Sequence, residues 1–383
     1  MNKSESKRKL PIYLDHNAST PILPEVLDAM LPYLRDHFGN ASSTHVYGKT
    51  MLAAVEQARS QLANLIECSP DEVFFTSGGT EANNLAIRGV AAAVSERRHI
   101  VTSIIEHPAT DGPCALLERQ GYRVFRAPVD NTGRVAPDAV RQALHEETLL
   151  VTIMHANSET GTFQPIPEIA DAAHDVGALV HTDAAQSCGK VPLSVNREKV
   201  DLLSIAGHKL YAPQGVGALY LRSGTPIQPL LIGAGHERGL RPGTENVASI
   251  VGLGKACEIA GRTLLEEGAR QSRLRDHMWH HLQERIPGIA LNGHPKDRLP
   301  NTLNLRFPGV SGNALLEACP GIAASTGSAC HAAGENASAV ILAMGIPADQ
   351  AIGSVRLTLG RDNDQDEIDQ AAELLHQAWL KLV

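Results

Sequence analysis

Short apolar runs alternate with helical patterns through the first two-thirds of the 383-residue chain. Several runs are continuously apolar, which is typical of parallel strands that helices cover on both faces. The predicted strands are 72–76, 99–103, 122–127, 149–155, 179–182, 202–206 and 217–222. The predicted helices are 24–35, 50–66, 81–95, 113–120, 136–146 and 166–176. This alternation predicts an α/β fold.

The pattern changes after about residue 240, where long helices and isolated strands replace the alternation. The predicted elements are helices 247–261, 263–284, 312–318, 337–344 and 365–382, with strands 302–307 and 354–359. This part of the chain predicts a second, smaller α+β unit, and the N-terminal stretch could belong to either unit.

Charge and cysteine content exclude several classes of protein. Lys and Arg number 34 against 42 Asp and Glu, a net charge of −8, so we expect no nucleic-acid partner. No apolar run has the length of a membrane helix or a signal peptide, so we expect a cytoplasmic protein with no membrane partner.

The six cysteines form no CxxC pair, which argues against a zinc ribbon or thioredoxin motif and favours reduced, mostly buried thiols. We expect no metal site.

A glycine-rich turn, Ser77-Gly78-Gly79-Thr80, joins a predicted strand to a predicted helix. Two glycines let the backbone approach an anion, and the helix N-terminus offers unpaired N–H groups. An ordinary βα turn with a Ser or Thr cap explains the same residues equally well.

Polar side chains follow several other predicted strands. They are His107, Asn157, Asp183 with Gln186, and Lys209 after His208. Each has an ordinary explanation alone, such as a helix cap or a surface lysine. Together they lie where open α/β sheets bind ligands. A phosphate-binding turn, an acidic residue and a lysine in this order match a site for pyridoxal phosphate. This cofactor needs a covalent bond to a lysine and an acidic partner for its ring nitrogen.

Ten motifs in order along the chain carry a resemblance to a known family. They are YLDHNAST (13–20), FGNASS (38–43), FTSGGTEANNLAI (75–87), EHPA (106–109), HANSETG (155–161), HTDAAQ (181–186), GHK (207–209), RPGTEN (241–246), GSAC (327–330) and VRLTLGR (355–361). In these motifs the chain resembles the cysteine desulfurases, class-V pyridoxal phosphate enzymes of the aspartate aminotransferase fold.

The resemblance implies fold type I, with a large domain over 22–258 that contains a mainly parallel seven-stranded sheet. Residues 1–21 and 259–383 would form a small α+β domain. The residues implied at the cofactor, pyridoxal 5′-phosphate, are Gly79, Thr80, His107, Asn157, Asp183, Gln186, His208, Lys209 and, from the second subunit of a homodimer, Thr244.

The resemblance also implies roles. Lys209 would bind the cofactor covalently and, with His107, act as a catalytic residue. Asp183 would hold the proton of the ring nitrogen, and His107 would stack on the ring and move protons. Asn157 would also lie near the substrate, whose carboxylate Arg356 would bind through its two-pronged guanidinium.

Cys330 would take the sulfur of L-cysteine as a persulfide, releasing L-alanine, for delivery to an acceptor protein. Small and flexible residues surround it, as a sulfur-carrying loop requires. The other five cysteines fit the structural interpretation better.

Two departures from the family pattern leave the substrate open. Ala206 stands where a Ser or Thr usually contacts the phosphate, and His331 follows Cys330. Both features resemble selenocysteine lyases, so L-selenocysteine with a selenium acceptor is the alternative. A pyridoxal phosphate aminotransferase, which would not need Cys330, and a non-catalytic scaffold are further alternatives.

Overall fold

The computed structural model describes residues 10–327 and 337–383. The strands are β1 (Ile12–Tyr13), β2 (Val73–Thr76), β3 (His99–Ser103), β4 (Arg123–Ala127), β5 (Thr148–Thr152), β6 (Leu179–Asp183), β7 (Leu202–Ala206), β8 (Gly217–Leu221), β9 (Ala290–Asn292), β10 (Thr302–Arg306), β11 (Ile322–Ala323) and β12 (Ser354–Thr358). The helices are α1 (Pro24–Arg35), α2 (Val46–Ile66), α3 (Gly79–Ala93), α4 (Pro108–Arg119), α5 (Pro137–Ala143), α6 (Ile166–Asp175), α7 (Val247–Arg285), α8 (Gly312–Glu317), α9 (Ala339–Ala343), α10 (Ala348–Ala351) and α11 (Gln365–Leu380).

A seven-stranded sheet in the order β2-β8-β7-β6-β5-β3-β4 organises the larger part of the molecule. Only β8 runs against its neighbours in this sheet, pairing antiparallel with both β2 and β7. Successive residues of a strand point to opposite faces, so Leu202 joins one buried cluster with α3 and α4, and Leu203 joins another with α2 and α6. The predicted α/β fold with a mainly parallel sheet is confirmed.

A third buried cluster lies around a small antiparallel sheet with the order β12-β10-β9. Helix α11 and the C-terminal half of α7 cover this sheet. The N-terminal strand β1 joins this unit by pairing in parallel with β11, where Ile12 lies opposite Ile322. The domain boundaries at 21/22 and 258/259 stay a prediction, and the second of them lies within α7.

Helix α7 differs from the sequence prediction of two helices. It is continuous over 39 residues from Val247 to Arg285. Gly261, the last residue of the first predicted helix, lies inside it, and a Cβ at this position would meet only the Cδ1 atom of Leu65, at 3.8 Å. A single glycine lowers helix stability without ending the helix, because it removes no backbone hydrogen bond.

Asn17 connects the two units just after β1. Its Nδ2 atom donates to Thr302 Oγ1 in β10 at 2.9 Å and to the carbonyl of Ser158 at 3.2 Å. Its backbone N–H donates to Thr358 Oγ1 in β12. The segment after β1 therefore lies in the seam between the large sheet and the small one. Within the described residues, no helix is both long enough and apolar enough to cross a membrane.

Candidate active site

The glycine-rich turn links the end of β2 to the start of α3. Gly78 is the N-cap of α3 and has a φ of 150°, a value that favours glycine. It offers no side-chain cap, so the first N–H groups of α3 have no acceptor within the helix. A Cβ at Gly79 would lie 3.2 Å from the Cβ of Ala206 at the end of β7. The turn is thus an open set of donors beside the segment that carries Lys209, and the methyl group of Ala206 adds no hydroxyl.

His107, Asp183 and Lys209 come together at the carboxyl edge of the sheet. Asp183 ends β6, Lys209 lies in a 3-10 turn directly after β7, and His107 is the N-cap of α4 after β3. Burial lowers the pKa of His107, the nearby Lys209 lowers it further, and Asp183 opposes both effects. His107 Nδ1 accepts a hydrogen bond from the N–H of Ala109 at 3.1 Å, so the neutral ring carries its proton on Nε2.

Asp183 is buried with neutral hydrogen-bond donors. Its Oδ2 accepts from Asn83 Nδ2 at 2.7 Å, and its Oδ1 accepts from the N–H of Ala185 at 2.9 Å. The Oδ1 atom of Asn83 is buried with no hydrogen-bond partner among the described residues. The carboxylate is oriented by these two bonds while its charge remains available to a cation.

Glu106, next to His107, accepts hydrogen bonds from the ends of two neighbouring strands, β3 and β5. Its Oε1 accepts from Ser103 Oγ at 2.5 Å and from the N–H of Met154, which follows β5, at 3.1 Å. Burial raises the pKa of Glu106 to about 8, opposed by its hydrogen bonds and assisted by the charge of Asp183.

Gln186 is held by a lysine and by the N-terminal segment. Its Nε2 donates to the carbonyl of Asn17 at 3.1 Å, and its Oε1 accepts from Lys190 Nζ at 3.2 Å. Lys190 Nζ also donates to Asn17 Oδ1 at 3.0 Å. These contacts bring three residues from two distant parts of the chain to one side of the site.

Arg356 lies in β12 and reaches the large unit from the small sheet. Its Nη2 pairs with Asp15 Oδ1 at 2.8 Å, and its Nη1 donates to the carbonyl of Ser158 at 3.2 Å. Its Nε is buried with no hydrogen-bond partner among the described residues. The guanidinium therefore retains donor capacity for an anionic group.

Asn157 has protein partners on both sides of its amide. Its Oδ1 accepts from the N–H groups of Glu159 and Thr160, each at 2.9 Å, and its Nδ2 donates to the carbonyl of Ile105 at 3.3 Å. It is fully buried. The contact to cofactor and substrate that the sequence suggested for Asn157 stays a prediction.

The remaining predicted residues occupy more open positions. His208 is half-buried, with its Nδ1 3.3 Å from Ser19 Oγ, and burial and the neighbouring Lys209 lower its pKa. Thr80 and Thr244 are exposed. Arg241, in the same segment as Thr244, pairs with Glu81 of α3 at 2.9 Å, so this segment lies beside the glycine turn of its own chain. Cys330 lies outside the described residues.

The five described cysteines carry no disulfide. Burial raises the pKa of the Cys68, Cys114 and Cys188 thiols to about 12. Burial also raises the pKa of Cys257 and Cys319. A thiol that keeps its proton is a poor nucleophile, so these five are unsuited to sulfur transfer. No group of three or more metal-ligating side chains occurs within 10–327 and 337–383.

Comparison with known proteins decides the family. The family described as aminotransferase class-V matches residues 12–371. The chain is 44% identical to the cysteine desulfurase IscS of Dictyoglomus turgidum over 377 residues, which cover 98% of this chain and 96% of the relative. The chain belongs to the cysteine desulfurase family of class-V aminotransferases.

Solved structures agree with this family assignment. A NifS-like protein superimposes with a TM-score of 0.91 at 35% identity, covering 98% of this chain and 100% of the other. A structure titled SspA in complex with cysteine superimposes with a TM-score of 0.81 at 34% identity, covering 91% of this chain and 98% of the other. The predicted family, fold and enzyme class of a cysteine desulfurase are confirmed, whereas these comparisons give no support to the selenocysteine alternative.

Sequence reasoning missed three residues of this desulfurase site: Asn17, Asn83 and Lys190. The first two lie inside motifs that the sequence singled out, YLDHNAST and TEANN, but amides are common in turns and helices. Lys190 follows HTDAAQ by four residues, and the residues around it do not indicate that its side chain is half-buried. Only the tertiary contacts to Gln186 and Asp183 distinguish these side chains from ordinary polar residues.

Proposed function

We propose that the chain is a pyridoxal phosphate-dependent cysteine desulfurase, which converts L-cysteine to L-alanine and transfers the sulfur to Cys330 as a persulfide. One observation carries the proposal. In a member of this family, Asp183, His107 and Lys209 meet at the sheet edge beside an uncapped glycine turn. The persulfide would then pass its sulfur to an acceptor protein.

The residues present fit pyridoxal 5′-phosphate. The open N–H groups after Gly78 suit a phosphate. Asp183 is buried with only neutral hydrogen-bond donors, which suits the protonated ring nitrogen of the cofactor. His208, Thr80 and, from a second subunit, Thr244 would add phosphate contacts, and Gln186 and Asn157 would lie at the ring hydroxyl. When bound, the cofactor withdraws electrons and makes the Cα proton of an amino acid acidic.

The chain's own residues would bind the substrate and move its protons. Arg356 would hold the substrate carboxylate with its unpaired donors, in competition with Asp15. Lys209 would bind the cofactor and then take the Cα proton of cysteine. His107, uncharged because burial and Lys209 lower its pKa, would stack on the ring and can donate from Nε2.

Sulfur transfer would follow by attack of the Cys330 thiolate on the substrate sulfur. The S–S bond of the persulfide forms, the carbon–sulfur bond of cysteine breaks, and the carbon takes a proton to give alanine. L-cysteine and one enzyme thiol thus become L-alanine and one enzyme persulfide. The raised pKa values of the other five thiols support Cys330 as the carrier.

The test is alanine formation from L-cysteine by wild type, Cys330→Ser and Lys209→Ala, with persulfide detected by mass spectrometry. We expect Lys209→Ala to lose both the visible absorbance of the bound cofactor and alanine formation. Cys330→Ser should keep the absorbance but form no persulfide. Full cysteine turnover by Cys330→Ser would contradict the sulfur-transfer step.

The same assay with L-selenocysteine separates the alternative substrate. We expect cysteine to be turned over with alanine and persulfide as products. Alanine from selenocysteine alone, with none from cysteine, would overturn the proposal. Release of pyruvate from alanine would indicate an aminotransferase instead.

A homodimer is part of the proposal, since Thr244 would complete the phosphate site of the other subunit. Large apolar side chains are exposed between α1 and the start of α2, including Phe38, Val46 and Tyr47. An exposed apolar patch of this kind is typical of a protein–protein interface.

A further inference from the structure

Lys190 is a half-buried lysine beside the site that has no acidic hydrogen-bond partner among residues 10–327 and 337–383. Its Nζ donates to Gln186 Oε1 at 3.2 Å and to Asn17 Oδ1 at 3.0 Å. Both acceptors are neutral amide oxygens. Burial, with a smaller effect from the neighbouring cations Lys209 and Arg356, lowers the pKa of Lys190 to about 7. Burying a lysine beside two other cations costs stability, and the two hydrogen bonds to neutral amides offset only part of that cost.

The partners of Gln186 fix which way its amide faces. Lys190 Nζ donates to Oε1 of Gln186, so the amide oxygen faces Lys190. The carbonyl of Asn17 can only accept, so the Gln186 nitrogen must face Asn17. One N–H of Gln186 is used by Asn17, and the other is left to donate to a ligand oxygen. Lys190 thus holds Oε1 of Gln186, and Nε2 of the same amide would contact the cofactor.

Asn17 extends the same network toward the substrate end of the site. Its Oδ1 accepts from Lys190, and its Nδ2 donates to the carbonyl of Ser158. The same carbonyl accepts from Nη1 of Arg356. A continuous chain of hydrogen bonds therefore runs from Gln186 through Lys190, Asn17 and Ser158 to Arg356.

We propose that Lys190 is a positioning residue, which holds Gln186 against the cofactor ring and, through Asn17, aligns the Arg356 end of the site. This inference rests on the proposed function, because it assigns Gln186 to the cofactor and Arg356 to the substrate carboxylate. The role is indirect, because Lys190 would act through Gln186 and Asn17 and would contact neither the cofactor nor the substrate.

The test compares Lys190→Met, which keeps the length of the side chain but removes the donors, with Lys190→Arg, which keeps donors. Lys255→Met is the matched control, because Lys255 is also half-buried and donates to a side chain, Glu258. The cofactor dissociation constant is measured by equilibrium dialysis of the full-length holoenzyme, and KM and kcat are measured for L-cysteine.

We expect Lys190→Met to weaken cofactor binding by about tenfold, the size of one lost charge-assisted hydrogen bond. It should also raise KM for cysteine more than it lowers kcat. Lys190→Arg should recover most of the cofactor affinity, and Lys255→Met should match wild type. A Lys190→Met enzyme with wild-type cofactor affinity and KM, and only a lower melting temperature, would overturn the proposal.

A double-mutant cycle with Gln186→Met tests whether Lys190 acts through Gln186. The double variant should bind the cofactor no more weakly than Gln186→Met alone, and fully additive losses would overturn the proposal. If Lys190→Met does not fold, Lys190→Gln takes its place in the cycle with the same two outcomes. The cofactor measurements do not depend on the substrate, so they stand even if wild type fails to make alanine from cysteine.

Discussion

At the scale of single residues, Glu106 is a carboxyl group whose protonation is coupled to folding. Its pKa of about 8 in the folded protein lies above the value of ~4.3 for an unfolded glutamate. The folded state therefore binds the proton more tightly than the unfolded state does. The stabilisation from this group is complete below pH ~4.3 and is lost as the pH rises through 8.

We predict that Glu106→Gln flattens this part of the pH dependence of stability. The free energy of unfolding of wild type should fall between pH 5 and pH 8.5 by more than that of the variant, as measured by urea denaturation. Glu96→Gln is the control, because Glu96 is exposed and should keep the wild-type slope. Equal slopes for wild type and Glu106→Gln would show that Glu106 is not the titrating group.

Three of the site residues predicted from the sequence lie at the end of a strand or shortly after it. Asp183 ends β6, and His107 and Lys209 follow β3 and β7. The carboxyl edge of a parallel sheet brings such residues together whatever the details of packing. Asn83 and Lys190 could not be predicted, because their roles depend on contacts from a helix face and a turn. Such contacts have no periodic signal in the sequence.

At the scale of elements, two glycines of α7 should respond in opposite ways to alanine. A Cβ at Gly254 would lie 2.5 Å from the Cα of Ala58 in α2, whereas a Cβ at Gly261 has room. We predict that Gly261→Ala raises the free energy of unfolding by about 0.5–1 kcal/mol, because alanine is the better helix former. Gly254→Ala should lower it by about 1–3 kcal/mol, because α2 must move.

Urea denaturation of the two variants beside wild type checks this pair, each glycine serving as the control for the other. A rise in the free energy of unfolding for Gly254→Ala would mean that α2 and α7 do not pack as closely as the structure indicates. A fall for Gly261→Ala would contradict the prediction for that position.

Elements with strong local signals were predicted well. Helix α1 begins and ends at the predicted residues, since Pro24 occupies its first turn and its apolar positions follow a helical period. Strands β1, β9 and β11 escaped prediction because they are only two or three residues long. β1 and β11 exist through their pairing with each other, which joins opposite ends of the chain.

At the scale of the whole molecule, the exposed apolar side chains between α1 and α2 should be buried in a dimer. Phe38 and Tyr47 stack with ring centroids 5.1 Å apart, and Phe38 and Val46 are 70% and 69% exposed. We predict a dimer in solution that Phe38→Glu and Val46→Glu each shift toward monomer, because a buried charge destabilises the interface. Multi-angle light scattering after gel filtration measures the mass.

The control is Leu265→Glu, since Leu265 is 75% exposed on α7, away from the patch in sequence. It should leave the dimer intact. Wild type eluting as a monomer would contradict the prediction, as would a Leu265→Glu variant that dissociates as readily as Phe38→Glu.

The position of Asn17 in the seam has a consequence for biosynthesis. Asn17 is made 285 residues before its partner Thr302 and 341 residues before its partner Thr358. Strand β1, which precedes Asn17, likewise cannot pair until β11 has been made. The large sheet can form while the chain is still growing, since domains fold as units during synthesis. The hydrogen bonds of Asn17 can form only after β10 and β12 have been made, so this side of the site stays open to a ligand until then.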